Sequence, residues 1–84
     1  MHEGAICREI VEIVGEAAIA NDIKKVYEIV LNVGPYSCIH EGQLNFYFEI
    51  VSKGTCMEGA IIKLEEDDDL KGVSQMYIKT FKGE

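Results

Sequence analysis

Lys24-Lys25-Val26-Tyr27-Glu28-Ile29-Val30-Leu31-Asn32-Val33 reads as a β-strand set between two helical stretches, and that placement decides the fold. Tyr27, Ile29, Leu31 and Val33 alternate with Val26, Glu28, Val30 and Asn32, the two-residue period of a strand. The first set is expected to face the core and the second, mixed set to lie on the less covered face of an antiparallel sheet. Gly34-Pro35 ends the strand, because proline cannot donate to a sheet ladder.

Before this strand, Glu3 to Ala20 carries a helical pattern. Ile6, Ile10, Ile13, Val14 and Ala17 recur at three- and four-residue steps, with Arg8, Glu9, Glu12 and Glu16 largely between them. Glu3 suits a helix start, where the backbone dipole favours negative charge, and Asn21-Asp22 is the expected stop. After the strand, Cys38 to Ser52 reads as a second helix. Leu44, Phe48 and Val51 lie on one face, Tyr47 and Ile50 flank it, and Ser37 or His40 to Glu41 lies near its start. Lys53-Gly54 supplies a basic end and a glycine cap. Gly59 to Glu66 and Val73 to Phe81 read as two further strands, joined by the polar turn Asp67-Asp68-Asp69-Leu70-Lys71-Gly72. The expected architecture is an α+β domain in the order α-β-α-β-β, with two helices packed on one face of a three-stranded sheet. The last two strands are expected to form a hairpin, and residues 1–84 a single domain.

Composition narrows the function. With 84 residues and a 48% apolar fraction the chain can build one modest core. A formal charge of −7 argues against nucleic acid as a partner, since phosphate binding needs clustered Lys and Arg. The three cysteines, Cys7, Cys38 and Cys56, are odd in number and widely spaced, which argues against a disulfide framework and for a reducing cytoplasm. No apolar run approaches a membrane span, and the start lacks the basic and long apolar stretches of an export signal. Ser, His and Asp show no arrangement that would single out a nucleophile, and no Gly-rich phosphate loop is present, so the chain is not expected to be an enzyme.

The chemistry lies in Met1-His2-Glu3. A histidine beside a free terminal amine can form a compact chelate: the amine nitrogen, the next amide nitrogen and the imidazole all reach one ion. Nitrogen-rich tetragonal coordination suits Ni(II) or Cu(II). The bulk of His2 is expected to disfavour removal of Met1. His40 has two readings, a further imidazole for that ion or, preferred, a surface histidine at a helix start. Glu41 is either an outer-shell carboxylate or a first-turn acid that complements the helix dipole. Cys38 is read as a core residue and the aspartates 67–69 as a solvated turn, because the spaced ligands of a calcium loop are missing. Of Tyr27, Phe46, Tyr47, Phe48, Tyr77 and Phe81, most are expected in the core.

Taken together these segments resemble the HypA/HybF family. Met1-His2-Glu3 before a helix resembles the family's start, Val33-Gly34 its "Ile-Gly" strand end, and Phe46-Tyr47-Phe48-Glu49 its "Phe-Ala-Phe-Asp/Glu" helix. Ser52-Lys53-Gly54-Thr55 is similar to "Thr-Arg-Gly-Thr", and Glu58-Gly59-Ala60 to "Glu-Gly-Ala". Nearly all of Met1 to Glu66 is covered, and the final strand fits less distinctively. The resemblance implies a nickel-binding domain with His2 as the essential ligand, helped by the Met1 amine and nearby backbone nitrogen. Glu3 would tune the site or steady the helix start. It implies nickel delivery to the large subunit of nickel-iron hydrogenase with the GTPase HypB, and in some organisms to urease. The family's zinc domain, with its paired Cys-x-x-Cys motifs between the last two strands, has no counterpart: the interval is the turn 67–72 and no Cys-x-x-Cys occurs. No zinc is therefore expected. The alternative is a metal-independent adaptor of the same fold, and a short domain with a sheet edge can bury apolar surface as a homodimer.

Overall fold

The computed structural model of the protein describes residues 3–71 and 75–84. Their elements follow the expected order: α1 (Glu3–Ala20), β1 (Val26–Val33), α2 (Glu41–Val51), β2 (Ile61–Glu66) and β3 (Met76–Gly83). The expected start of the last strand, Val73, lies outside the described residues.

Helix α1 buries Ile6, Cys7, Ile10, Val14 and Ala18, one stripe at four-residue steps. Ile13, expected inside, is 55% exposed, and Cys7 and Ala18 extend the buried stripe instead. The helix ends where expected. Asp22 takes a left-handed φ of 55°, the Ile23 N–H donates to the Ala18 carbonyl (2.8 Å) and the Asp22 N–H to that of Ile19 (3.2 Å). This is a Schellman closure with aspartate in the place glycine usually takes. Helix α2 buries Leu44 and Phe48 and is shorter than expected. Cys38 lies outside it in a left-handed conformation, φ 58°, and is exposed rather than in the core.

The hairpin expectation is overturned. The sheet order is β2-β1-β3: β2 runs parallel to β1, with Ile29 opposite Ile62 and Leu31 opposite Leu64. β3 runs antiparallel on the other side, with Leu31 opposite Ile78 and Ile29 opposite Phe81. The physical reason lies in β1, where Val26, Ile29, Val30, Leu31 and Val33 are all buried. A strand apolar on both faces belongs in the middle, whereas β2 fully buries only Ile62 and β3 fully buries no residue. Ile29, Leu31, Val33 and Ile62 join the buried residues of both helices in one cluster, so both helices cover one face. The opposite face carries ion pairs between exposed lysines and the carboxylates of half-buried Glu28 and exposed Glu65, Lys63–Glu28 (3.4 Å), Lys82–Glu28 (3.6 Å) and Lys79–Glu65 (2.9 Å), each worth little stability.

Two bulges adjust the phase. The register shifts between Val26 and Glu28, which turns Tyr27 out and Val26 in, the reverse of the expected alternation. A second shift between Val30 and Leu31 lets Ile78 and Phe81, three residues apart, both pack toward the core.

Residues 67–71 are accordingly not a hairpin turn but a crossing over the end of β1. The Asp67 N–H donates to the Val33 carbonyl (2.8 Å), and a Cβ on Gly34 would stand 2.2 Å from the Leu70 carbonyl oxygen. Asp67 is tied in rather than solvated: its carboxylate accepts the Asp69 N–H (3.0 Å) and the Tyr77 hydroxyl (3.0 Å).

The outer edge of β2 is covered by α2. Asn45 donates to the Ile62 carbonyl (2.9 Å) and accepts the Ile62 N–H (2.8 Å), and the Glu41 carboxylate accepts the Leu64 N–H (2.8 Å). Residues four apart on a helix share a face, and residues two apart on a strand point their amides to the same side, so the two pairs meet in step. No described helix is long and apolar enough to cross a membrane.

Candidate metal-binding end

Of the residues expected to form the site, Met1, His2 and Glu3, the structure places Glu3, at the start of α1. Met1 and His2 lie outside the described residues; Glu3 is the first helical residue and half-buried. One turn on, the buried Cys7 thiol donates to the Leu44 carbonyl of α2 (3.3 Å), and the Leu44 N–H in turn donates to the His40 carbonyl (2.9 Å). Further along, Gly15 of α1 faces Met57, beyond the end of α2. The contacts advance in the same direction along both segments, so α1 and α2 begin at the same end of the molecule. Glu3 and His40 each stand one turn before the Cys7–Leu44 contact.

His40 occupies the N-cap position with extended backbone, φ −105° and ψ 123°, and its side chain makes no capping bond. It is exposed, so its ring nitrogens are open to solvent or an ion. Glu41 opens α2 beside His40, and its carboxylate accepts the Leu64 N–H of β2 (2.8 Å). Cys7 is fully buried. Burial, and secondarily the Glu3 carboxylate, push its thiol up to about 11, so it stays protonated and donates a hydrogen bond. Among the described residues no group of three or more His, Cys, Asp or Glu side chains could hold a metal ion.

A cleft of about 380 Å³ beside the start of α1 is lined by Glu3, Gly4, Ala5, Arg8 and Tyr47. Tyr47 meets Phe46 edge-on, with ring centroids 5.6 Å apart. Phe46, Tyr27 and Tyr77 are 62%, 46% and 45% exposed and Tyr47 is at 36%, so of the six aromatics singled out above only Phe48 belongs to the core, with Phe81 partly buried against it. Sequence reasoning missed both this aromatic border and the role of Asn45. A polar residue between buried Leu44 and Phe48 was the available signal for Asn45.

These features define a small α+β module whose two helices begin at one end, with Glu3 and His40 at their starts. The sequence model for "Hydrogenase/urease nickel incorporation, metallochaperone, hypA" matches residues 1–71, and the chain belongs to the HypA family. It is 34% identical over 68 residues to the hydrogenase maturation factor HypA of Salmonella typhimurium, covering 81% of this chain and 58% of that protein. Identity is 42% over 62 residues to HypA of Actinobacillus succinogenes, covering 74% of this chain and 55% of that protein. For HybF of Escherichia coli it is 41% over 59 residues, covering 70% and 52%. The chain thus spans little more than half the length of these relatives. The fold matches the solution structure of the nickel metallochaperone HypA from Helicobacter pylori with TM-score 0.79 and 13% identity, over 99% of this chain and 97% of that one.

Proposed function

We propose that this chain carries Ni(II) during hydrogenase maturation, binding it through the Met1 amine, the His2 imidazole and the intervening backbone nitrogen. The observation that carries this reading is the family match, which begins at Met1 and runs to residue 71. Glu3 serves from the outer shell or through its backbone. His40 is the candidate for a further ligand, and what supports it is that α2 starts at the same end as α1. The whole of residues 1–84 acts as one nickel-binding domain in the cytoplasm, without a zinc domain and with the segment 67–72 in its place. Its partners are a HypB-type GTPase and the hydrogenase large subunit. No bond is made or broken beyond ligand exchange, so the protein is a carrier rather than an enzyme.

The test is calorimetric titration with Ni(II) of protein bearing its native start. His2→Ala removes a direct ligand and should weaken binding by more than the roughly 10–100-fold typical of outer-shell partners. Extending the chain before Met1 should do the same, because it abolishes the terminal amine. Acidification should release the ion, since only neutral imidazole ligates. Unchanged affinity in either altered protein refutes the assigned ligands.

A further inference from the structure

The two edges of the sheet are treated differently. The β2 edge is closed by Asn45 and Glu41. The β3 edge is open: β3 ends the strand order, and among the described residues none outside the sheet hydrogen-bonds to the backbone of 76–82. Beside that edge, between β3 and α1, runs a groove of about 370 Å³ whose apolar walls include Ile13, Ala17, Ile78 and Phe81. Ile13 is the wall residue left 55% exposed.

Charge decides what fits there. Glu9, Ile13, Glu16 and Ala20 fall at four-, three- and four-residue steps on α1, one exposed stripe of which Ile13 lines the groove. Among the described residues neither glutamate has a basic partner, whereas Lys79 and Lys82 of β3 are already paired with Glu65 and Glu28. The unmatched charge at the groove is therefore negative. A second copy is a poor occupant. Antiparallel pairing of β3 with itself would bring two acidic α1 rims together, in chains of formal charge −7 each, and would set β3 lysines near their own copies.

We propose that the β3 edge takes an extended segment of another polypeptide as a fourth strand. Its alternate apolar side chains fill the groove under Ile13, and its flanking basic residues meet Glu9 and Glu16. Backbone pairing would supply affinity, and the groove and rim would supply selectivity. This inference is independent of nickel carriage.

The probe is a ten-residue peptide of alternating valine and threonine with arginine at each end, titrated to about 1 mM, the concentration at which even weak pairing registers. Binding should slow hydrogen exchange at the amides of 76–82. Glu9→Lys with Glu16→Lys should weaken it about tenfold and favour a glutamate-flanked peptide instead. Ile13→Glu, at an exposed position whose fold is checked by circular dichroism, should abolish it. The proposal is overturned if no peptide binds, if protection appears elsewhere, if the charge reversals leave the preference unchanged, or if β3 is protected in peptide-free protein that sediments as a dimer.

Discussion

Gly34 is glycine because a backbone oxygen occupies the space a side chain would need. The crossing at Leu70 passes so close that any Cβ would collide with its carbonyl, and neither backbone can move without breaking the Asp67–Val33 bond. Gly34→Ala should lower unfolding stability by about 2 kcal/mol or more, as overpacking does, read as a shift in the urea midpoint. The cysteines give a second forecast at this scale. Cys38 is exposed, Cys56 intermediate and Cys7 buried, so a thiol reagent should modify Cys38 first, Cys56 next and Cys7 only on unfolding. Because the folded Cys7 thiol is raised from 9.0 to about 11, the unfolded chain ionises it first as pH rises. Its contribution to stability is complete below the lower value and is lost between the two. Comparing denaturant midpoints at about pH 8 and about pH 10.5, the Cys7→Ala variant should lose less stability than the parent.

Among the elements, α2 serves both the core and the sheet edge. Asn45→Ala leaves the Ile62 N–H and carbonyl without their partners. It should cost about 1–3 kcal/mol, the usual range for unsatisfied groups, with faster exchange at the Ile62 amide. Asn45→Asp keeps the acceptor and should cost less. Which parts of this were legible in the sequence follows from locality. Helix α1, its stop at Asn21-Asp22 and the element order could be read because they depend on spacing within one segment. Tyr27 and Val26 exchanged faces because a bulge is set by the partner strand. The hairpin reading failed because closeness in sequence was preferred to composition. Val26 and Val30 beside Ile29, Leu31 and Val33 already marked β1 as apolar on both faces, hence central. At the candidate site, Glu3 and His40 could be picked by residue type. Their common end could not, since it rests on Cys7 meeting Leu44 across 37 residues.

For the whole molecule, membership of the HypA family rests on residues 1–71, and the proposed nickel carriage makes a prediction about the fold. Treatment with a chelator should leave the unfolding midpoint of the described fold nearly unchanged, because its core is built from apolar side chains of both helices and the sheet. A large loss would mean that the ion holds the structure together. The placing of β1 between β2 and β3 has a kinetic corollary. Glu28 pairs with Ile61 and Val33 with Met76, so no rung of the sheet joins residues nearer than about thirty positions apart. The sheet has no local nucleus. Loop closure must be completed before any strand is rewarded, so refolding should run in milliseconds or slower, with α1 helicity preceding sheet formation in stopped-flow traces.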